Sequence, residues 1–304
     1  MPLQGADTTR VQIRAITWNL FHGRDAPPDP SLLTWRSRLL KISERGTDYV
    51  QVNRNLFADF ATALSAMRWD VALLQESPPR WAPRLAEAIG AATHLTLTSR
   101  NWLPRLQGVL ADLNPDLIAS SEGGSNLTLI RGALGQGDQT IAERRELVIC
   151  DRSPERRTMA FTRTSAGLCV ANLHATNDRP EQAGPEVLRA ARAATEWAGG
   201  EPLLFGGDLN LRPGRQPEIF ERLQESYGLG RPTAPGSIDH LLARGLEVIE
   251  APAPLPHPEA VRDRSFRGPL GIWRREAGRR IRLSDHAPVG ATYRLGGGSA
   301  DPRR

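Results

Sequence analysis

The sequence predicts an α/β fold, in which strands and helices mix through one chain of 304 residues. Short apolar or alternating runs of strand type are interleaved with longer segments that place apolar residues at helical spacing. Several strand-type runs also follow one another closely enough to form hairpins. No tandem repeat and no linker splits the chain. We therefore expect residues 1–295 to form a single domain and the Gly-rich tail, 296–304, to be disordered.

Each strand is predicted from an apolar or alternating run that ends in polar or turn residues. The first run, VQIRAITWN, alternates and is rich in β-branched residues, whereas VALL is apolar throughout before Gln75 and Glu76. The segment SIDHLLARGLEVIEA contains one or two short strands. The predicted strands cover residues 11–18, 69–76, 125–131, 145–151, 157–164, 167–173, 201–210, 287–295 and parts of 237–251.

Helices are predicted where apolar residues recur every three or four positions. In residues 53–67 the sequence NRNLFADFATALSAM has this spacing, and Asn53 or Asn55 is the expected N-cap. The other predicted helices cover residues 80–89, 101–112, 184–198 and 215–226. The proline-rich residues 26–34 predict a loop. Two interpretations of the wider segment 22–52 stay open, a surface excursion and a lid over a substrate.

Composition and charge limit the class of protein. Hydrophobic residues make up 39% and charged residues 24% of the chain, which is typical of a soluble protein. No apolar run approaches the length of about 18 residues that a membrane span needs. The N-terminus lacks the basic start and apolar run of a secretory signal, so we expect a cytoplasmic protein. Cys150 and Cys169 lack metal-site spacing and are expected to be buried thiols.

Carboxylates, amides and imidazoles stand at six strand ends. An isolated Asp or Asn there is an ordinary turn residue, but six such positions in one chain are hard to explain as turns. The residues concerned are Asn19, Gln75 with Glu76, His174, Asp208 with Asn210, Asp239 with His240, and Asp285 with His286.

The chemistry that uses such a set is metal-assisted hydrolysis of a phosphate ester. Mg²⁺ takes one or two carboxylates together with waters and substrate oxygens. Glu76 and Asp285 are the candidate carboxylates, and Asn19 supplies a neutral oxygen. In-line attack needs an activated water and stabilisation of the phosphoryl oxygens. The pair Asp239 and His286, and separately His174, would fill these places.

The motifs TWN, LLQE, ANLH, GGDLN, SID and SDHAPV occur in the order found in the endonuclease/exonuclease/phosphatase superfamily. The chain resembles this superfamily, which includes deoxyribonucleases, abasic-site endonucleases, sphingomyelinases and inositol polyphosphate phosphatases, over about residues 16–294. The resemblance implies a four-layer α/β sandwich: two mixed β-sheets packed face to face, helices outside, and the site at one end. It also implies that the glycines of GGDLN let the strand exit close beside the phosphate, with Asp208 and Asn210 on the same side.

The resemblance also implies a role for each site residue. Glu76 would be the main ligand of Mg²⁺ or Mn²⁺, with help from Asn19 and Asp285. Asp208 would position the water or a metal, and Asn210 would bind the phosphate or orient the nucleophile. His286, oriented by Asp239, would be the general base, and His174 would contact the phosphate and act as an acid. Abasic-site endonucleases carry an aspartate where this chain has Phe21, so a close match to that subgroup is not expected.

The remaining candidates are basic. Either Arg156 or Arg157 stands where family members often place a basic residue before a central strand, although a solvated strand-edge arginine is the simpler alternative. We expect His240 to be structural and leave His22, which is near the site, without a role. His94 and His257 are expected in surface or loop positions, because they have no partner pattern.

Residues 262–282 concentrate the positive charge. They contain eight arginines against Asp263 and Glu276, and the whole chain has a net charge of +5. Phe266 and Trp273 lie among these arginines, and the stretch leads directly into SDH. A solvated, flexible loop is one interpretation. The other is a surface for a phosphate backbone in which Arg274 and Arg275 contact nucleic acid.

These observations predict a Mg²⁺- or Mn²⁺-dependent phosphodiesterase that acts on DNA or RNA as a monomer. Two alternatives stay open. The first is a phosphatase or a lipid or inositol phosphodiesterase of the same fold, since loops set specificity. The second is a non-catalytic binding module, against which the complete set of motifs argues.

Overall fold

A computed structural model describes residues 11–296, apart from 42, 99–107, 109–110, 112, 120–122, 135–137, 152–154, 231, 263–264, 268–272 and 276–277. The side chains of residues 138, 262, 265–267 and 273–275 are also outside the description. The predicted helix at 101–112 and the predicted disordered tail at 296–304 therefore fall almost entirely outside the described residues. The same is true of the side chains of Phe266 and Trp273.

Strands and helices mix along the described chain, as the sequence predicts. The strands are β1 (Val11–Asn19), β2 (Glu44–Arg45), β3 (Val50–Gln51), β4 (Val71–Gln75), β5 (Ala92–Leu97), β6 (Ser125–Ile130), β7 (Ile141–Cys150), β8 (Arg157–Thr164), β9 (Cys169–His174), β10 (Leu203–Asp208), β11 (Asp239–Arg244), β12 (Leu246–Pro254), β13 (Glu259–Arg262), β14 (Ser265–Arg267), β15 (Trp273–Arg275), β16 (Arg279–Arg282) and β17 (Val289–Leu295). The α-helices are α1 (Trp35–Leu40), α2 (Phe57–Ala66), α3 (Trp81–Ile89), α4 (Pro115–Ile118), α5 (Pro180–Ala198) and α6 (Pro217–Tyr227).

Two large mixed sheets share one topological plan. The described strands form a first sheet of six strands in the order β12-β17-β1-β4-β6-β5 and a second of five in the order β11-β10-β9-β8-β7. Each sheet has one parallel pair, β1 with β4 and β9 with β10, and the neighbours of that pair run antiparallel to it. Parallel strands end at the same edge of a sheet, where an antiparallel neighbour begins. Among the described strands, eight termini therefore gather at one edge of the sandwich: the ends of β1, β4, β9 and β10 and the beginnings of β17, β6, β11 and β8.

The sheets pack face to face with helices outside, which confirms the predicted four-layer sandwich. On β1 the side chains alternate: Ile13 and Ala15 face the second sheet, whereas Ile16 and Trp18 pack beneath α2 and α3. Helices α5 and α6 cover the outer face of the second sheet. The stripe that α5 buries repeats at helical spacing and consists of Ala183, Val187, Ala190, Ala191, Ala194 and Ala198.

Part of the layer between the sheets is polar. Gln75 Nε2 donates to Asn172 Oδ1 at 2.8 Å, and Thr17 Oγ1 donates to Gln75 Oε1 at 3.2 Å. Farther along, His94 Nδ1 lies 2.9 Å from Thr162 Oγ1. All these groups are buried, so each hydrogen bond between the sheets satisfies atoms that would otherwise be costly to bury.

Several boundaries differ from the predictions. The strand β5 was not predicted, although its sequence alternates. His94 lies on this strand and is only 5% exposed. The surface or loop position expected for His94 is therefore wrong. Helix α2 begins at Phe57, later than expected. Its Phe57 N–H donates to Asn55 Oδ1 at 2.8 Å, whereas Asn53 is buried and its Nδ2 donates to Ser37 O at 2.8 Å.

The described residues of the segment 22–52, which the sequence left unassigned, form a flank beside the site edge. It contains α1 and the short β2–β3 hairpin. Asp25 forms an isolated bridge to Leu283, and its Oδ2 accepts a hydrogen bond from Val52 N at 3.0 Å. Asn114 Nδ2 donates to Arg38 O at 2.8 Å and thereby attaches α1 to the chain before α4.

The two glycines that end the apolar run of β10 serve the sheet itself. A Cβ on Gly207, at φ +130, would lie 1.9 Å from Leu173 O on β9. A Cβ on Gly206 would lie 2.3 Å from His240 O on β11. Neither strand could then approach β10 closely enough to pair with it. Close packing between strands therefore accounts for both glycines, and the expectation that they make room for a phosphate stays a prediction.

Candidate functional site

The register of the second sheet brings three of the predicted residues together. Asp208 ends β10 opposite His174 of β9 on one side and opposite Asp239 of β11 on the other. In the first sheet Asn19 ends β1 opposite Gln75, so Glu76 follows at the same edge. The two sheets meet where Asn19 Nδ2 donates to Asp208 Oδ2 at 3.1 Å. Distant motifs thus converge because each stands at the same end of its strand.

His286 and Asp239 form a hydrogen-bonded pair. His286 Nδ1 lies 2.8 Å from Asp239 Oδ2, and the backbone of His286 is held by Trp18 Nε1, which donates to its carbonyl oxygen at 2.9 Å. The other ring nitrogen, Nε2, lies 4.0 Å from Asp208 Oδ2 and 3.9 Å from Asp285 Oδ1. Burial lowers the pKa of His286, but the Asp239 hydrogen bond and the surrounding carboxylates outweigh it and raise the pKa to about 10.

Asp208 is the most central carboxylate and is only 2% exposed. Besides the Asn19 amide, it contacts His174 Nε2 at 3.5 Å, and its Oδ1 accepts a hydrogen bond from Asn210 N at 3.2 Å. Burial, and then the charge of Asp239, raise the pKa of Asp208 to about 7. A carboxyl group in this state holds or releases a proton near neutral pH.

Asn210 reaches its position by a turn. The strand ends at Asp208, and Asn210 has φ +53, so strand alternation does not place the two residues on one side as expected. Its Nδ2 donates to Ala175 O at 3.1 Å, just beyond β9. Asn tolerates this left-handed conformation better than most residues. The side chain is fixed beside Asp208.

Oxygen donors line the first-sheet side of the site. Glu76 has φ +47 directly after β4, and Asp285 precedes β17 with 43% of its side chain exposed. Burial raises the pKa of Glu76, but His22, His174 and the Asn19 amide outweigh it and lower the pKa to about 2. Glu76 is therefore an anion, whereas burial raises the pKa of Asp285.

The donor set fits a hard divalent cation. Glu76, Asp285 and Asn19 all offer oxygen, the ligand that Mg²⁺ and Mn²⁺ prefer. Asp208, Asp239 and His286 also bring three ligand-type atoms within 4.8 Å of one another. The short bond between His286 Nδ1 and Asp239 marks that second group as a hydrogen-bonded unit, so the first group is the better candidate for a metal.

Two basic residues complete the cleft beside Glu76. Arg157 is only 5% exposed and, with His22, Glu76 and His174, lines a cavity of about 20 Å³. Arg156 instead donates through Nε to Thr98 O at 2.8 Å, so Arg157 is the arginine at the site. His22 Nε2 lies 3.2 Å from Glu76 Oε2, a contact that sequence reasoning missed. The only signal for it was its position three residues after Asn19.

His174 is buried beside Arg157 and His22. Burial, and then the charge of Arg157, lower its pKa to about 3, so its ring is neutral. A neutral ring can contact a phosphate through its N–H, and the role of His174 as an acid stays a prediction. His240 behaves as expected: it is fully buried, and its Nε2 lies 2.9 Å from Leu211 O.

The described arginines of the basic stretch contact the flank formed by 22–52. Arg279 Nε donates to Gly46 O at 3.2 Å, and Arg280 lies over the Tyr49 ring, 4.7 Å from its centroid. Arg282 Nε donates to Ala26 O. The side chains of Arg274 and Arg275 lie outside the described residues. Neither cysteine forms a disulfide; Cys169 is buried as expected, whereas Cys150 is only half-buried.

Solved structures share this fold over nearly the whole chain. An endonuclease/exonuclease/phosphatase family protein from Bacteroides thetaiotaomicron is 13% identical with a TM-score of 0.58, and the match covers 95% of this chain and 100% of that one. A family protein from Bacteroides vulgatus is 14% identical with a TM-score of 0.55, covering 94% and 99%. A mannosyl-6-phosphatase from Bacteroides thetaiotaomicron is also 14% identical with a TM-score of 0.55, covering 92% and 99%.

Among curated proteins no sequence matches the chain. None of the helices described is long and apolar enough to cross a membrane. The sequence profile of the Endonuclease/Exonuclease/phosphatase family matches residues 16–286, which span the strand ends from the first motif to the last. Members of that family hydrolyse phosphoester bonds. The chain belongs to the Endonuclease/Exonuclease/phosphatase family.

Proposed function

We propose that this protein is a Mg²⁺- or Mn²⁺-dependent phosphodiesterase that cleaves DNA or RNA. One observation supports this most strongly. The His286–Asp239 pair directs a ring nitrogen toward Asp208 and Asp285, while Glu76 and Asn19 offer oxygen ligands at the same edge. A general base held by a carboxylate can activate water to attack a phosphate ester when it lies beside a cation site lined with oxygen atoms.

In this mechanism the protein positions each participant before reaction. Asp239 accepts the Nδ1–H of His286 and so leaves Nε2 to take a proton from the attacking water. Asp208 and Asn210 orient that water. His174 and Arg157 donate hydrogen bonds to the phosphoryl oxygens, where negative charge increases in the transition state.

Glu76 would hold the cation, with Asp285 and Asn19 completing the protein ligands. When bound, a divalent cation supplies positive charge that stabilises the phosphoryl and leaving oxygens and lowers the pKa of nearby His286. The anionic state of Glu76 in the free protein favours this assignment.

Charge favours nucleic acid as the substrate. The chain has a net charge of +5 and a pI of about 9.9. The hairpin formed by β13–β16 and β14–β15 carries the arginine-rich stretch and leads directly to Asp285. Arginines that neutralise several phosphates favour a long polyanion over a single head group.

A substrate panel tests the proposal. Plasmid DNA, single-stranded DNA, RNA, sphingomyelin and inositol phosphates are incubated with Mg²⁺, Mn²⁺ or EDTA. We expect cleavage of nucleic acid that stops in EDTA and returns with metal, and loss of cleavage in Glu76→Gln but not in the control Glu196→Gln on the outside of α5. Turnover of only a head group would favour the phosphatase alternative, and no turnover the binding module.

The arginine-rich stretch needs two separate variants. Arg279→Ala/Arg280→Ala removes contacts to Gly46 and Tyr49, so a fall in melting temperature is expected. Arg274→Ala/Arg275→Ala should instead weaken nucleic-acid binding. The slope of the logarithm of the binding constant against the logarithm of the salt concentration should become less steep by about one to two units. Hydrolysis of bis(p-nitrophenyl) phosphate is the matched reference. Unchanged binding by the second variant would remove the stretch from the substrate surface.

A further inference from the structure

A second cavity lies directly beside the candidate site and has no part in the mechanism above. Its volume is about 190 Å³, and its walls include Phe21, Arg24, Leu33, Arg38 and Asp116. Phe21 directly precedes the flank formed by 22–52, and the other wall residues come from that flank and from α4. The volume is well below the roughly 300–1,000 Å³ of sites for drug-sized ligands, so it suits a single small ring system.

The cavity is connected to the cleft through the chain that follows β1. Phe21 N donates to Asn19 Oδ1 at 2.9 Å, and the next residue, His22, contacts Glu76. Arg24 O accepts a hydrogen bond from Ser284 N at 3.1 Å, and Ser284 directly precedes Asp285. A group in this cavity would therefore adjoin a diester held at the site.

The walls combine stacking surfaces with both kinds of hydrogen-bonding group. The Arg24 guanidinium lies over the Phe21 ring, 3.9 Å from its centroid. Arg38 Nε donates to Asp116 O at 3.3 Å, and Asp116 Oδ2 accepts from Gln51 Nε2 at 2.6 Å. Among the lining residues Leu33 is 56% exposed, so the cavity has an apolar side that is open to solvent.

This combination discriminates among ligands. A bare phosphate would meet the carboxyl groups of Asp116 and Asp25, which also lines the cavity. Asp25 is 2% exposed, and its Oδ1 has no hydrogen-bond partner among the described residues. A planar ring with its own donors and acceptors could stack on a guanidinium or aromatic face and pair with both signs of polar group.

We propose that this cavity binds the nucleobase next to the scissile diester. The proposal rests on the proposed nuclease activity and deepens it, because it makes the flanking base part of substrate recognition. Arg24 and Phe21 supply the stacking surface, and Arg38 and Asp116 supply hydrogen bonds.

Small defined diesters test the proposal. The substrates are thymidylyl-thymidine and two analogues in which either the 5′ or the 3′ nucleoside is replaced by a tetrahydrofuran abasic residue. We expect wild-type kcat/KM to fall about 10-fold or more for only one analogue, which identifies the side that the cavity binds. In Arg38→Ala and Asp116→Asn, the ratio of kcat/KM for the intact substrate to kcat/KM for that abasic analogue should move toward one.

Two further variants separate recognition from folding and from charge. Arg38→Lys keeps the charge but loses the planar guanidinium group, so its ratio of kcat/KM for the intact and the abasic substrate should also fall toward one. Arg192→Ala, an exposed arginine on α5, is the matched control and should keep the wild-type ratio. Melting temperatures within the wild-type range exclude unfolding as the cause.

The failures are distinguishable. If wild type cleaves all three diesters equally, and Arg38→Ala does the same, the cavity does not bind a base although nuclease activity stands. If wild type cleaves none of them but hydrolyses a head-group phosphate, both the proposed function and this inference are overturned.

Discussion

The two central parallel pairs of the sandwich have the same topology but end in different environments. Beyond β1 and β4 the first sheet presents Glu76, and beside it Asp285 precedes β17; their side chains are 21% and 43% exposed. Beyond β9 and β10 the second sheet presents His174 and Asp208, whose side chains are 8% and 3% exposed. One pair therefore offers carboxylates to solvent, and the other buries its polar groups against one another.

The difference assigns different tasks to similar strand ends. A carboxylate that is partly exposed can exchange water for a cation. A buried carboxyl group has a perturbed pKa, as Asp208 does, and its hydrogen bonds fix its orientation. We infer that the first sheet contributes the metal ligands and the second sheet the groups that orient water and phosphate.

The largest expected effect comes from replacing, one at a time, Glu76 of the first sheet and Asp208 of the second. Glu76→Gln and Asp208→Asn should each lower kcat/KM for nucleic acid by about 10³-fold, since each replaces a carboxyl group at the reacting centre by an amide that cannot ionise. Calorimetric titration with Mn²⁺ distinguishes them: Glu76→Gln should lose most of the affinity, and Asp208→Asn should keep it within about threefold. Equal losses of affinity would abolish the distinction between the two sheets.

The next effect concerns His286, which precedes β17 of the first sheet but pairs with Asp239 of the second. His286→Ala should lower kcat by about 10²–10⁴-fold, as loss of a general base does. Asp239→Asn should also be impaired, because it removes the partner 2.8 Å from Nδ1. The double variant should be little slower than His286→Ala. Defects that multiply would show that the two residues act independently.

Sequence alone predicted the parts of this site that occupy strand ends. Apolar runs locate β1, β4, β9 and β10, and polar residues directly after such runs are conspicuous. The sandwich itself came from the resemblance of the motifs to a family, because strand order depends on contacts between distant segments. The register that sets Asp208 opposite His174 and Asp239 is likewise invisible until the sheet is built.

Other features escaped prediction for local physical reasons. His22 and Glu76 meet because both adopt positive φ values, +53 and +47, which side-chain patterns do not reveal. His94 was expected at the surface because its partner, Thr162, is 68 residues away. The contacts of Arg279 with Gly46 depend on a hairpin folding back onto the flank, which charge density alone does not predict.

The polar layer behind the site predicts a smaller effect, on stability. Burial, and then Arg144, lower the pKa of His94 from 6.5 to about 4, so the folded protein takes up its proton only at lower pH than the unfolded chain. The stabilisation is complete above pH 6.5 and is lost as the pH falls toward 4, by about 3 kcal/mol at most. In urea unfolding, the free energy of unfolding of wild type should fall between pH 7 and pH 4, and that of His94→Gln should fall by about 3 kcal/mol less. Parallel losses in both proteins would contradict the prediction.

The smallest expected effect is the coupling between the sheets themselves. Gln75 Nε2 donates to Asn172 Oδ1, so Gln75→Leu leaves a buried oxygen without that bond and should lower the free energy of unfolding by about 1–3 kcal/mol. Replacing both partners removes the unpaired Asn172 oxygen, whereas Thr17 Oγ1 loses its acceptor in the Gln75→Leu variant and in the double variant alike. Gln75→Leu/Asn172→Leu should therefore be about 1 kcal/mol more stable than the sum of the single effects predicts. Gln75 precedes Glu76, and Asn172 lies two residues before His174. The bridge thus holds Glu76 of the first sheet and His174 of the second in one register, and strict additivity in the double-mutant cycle would show that the two residues are fixed independently.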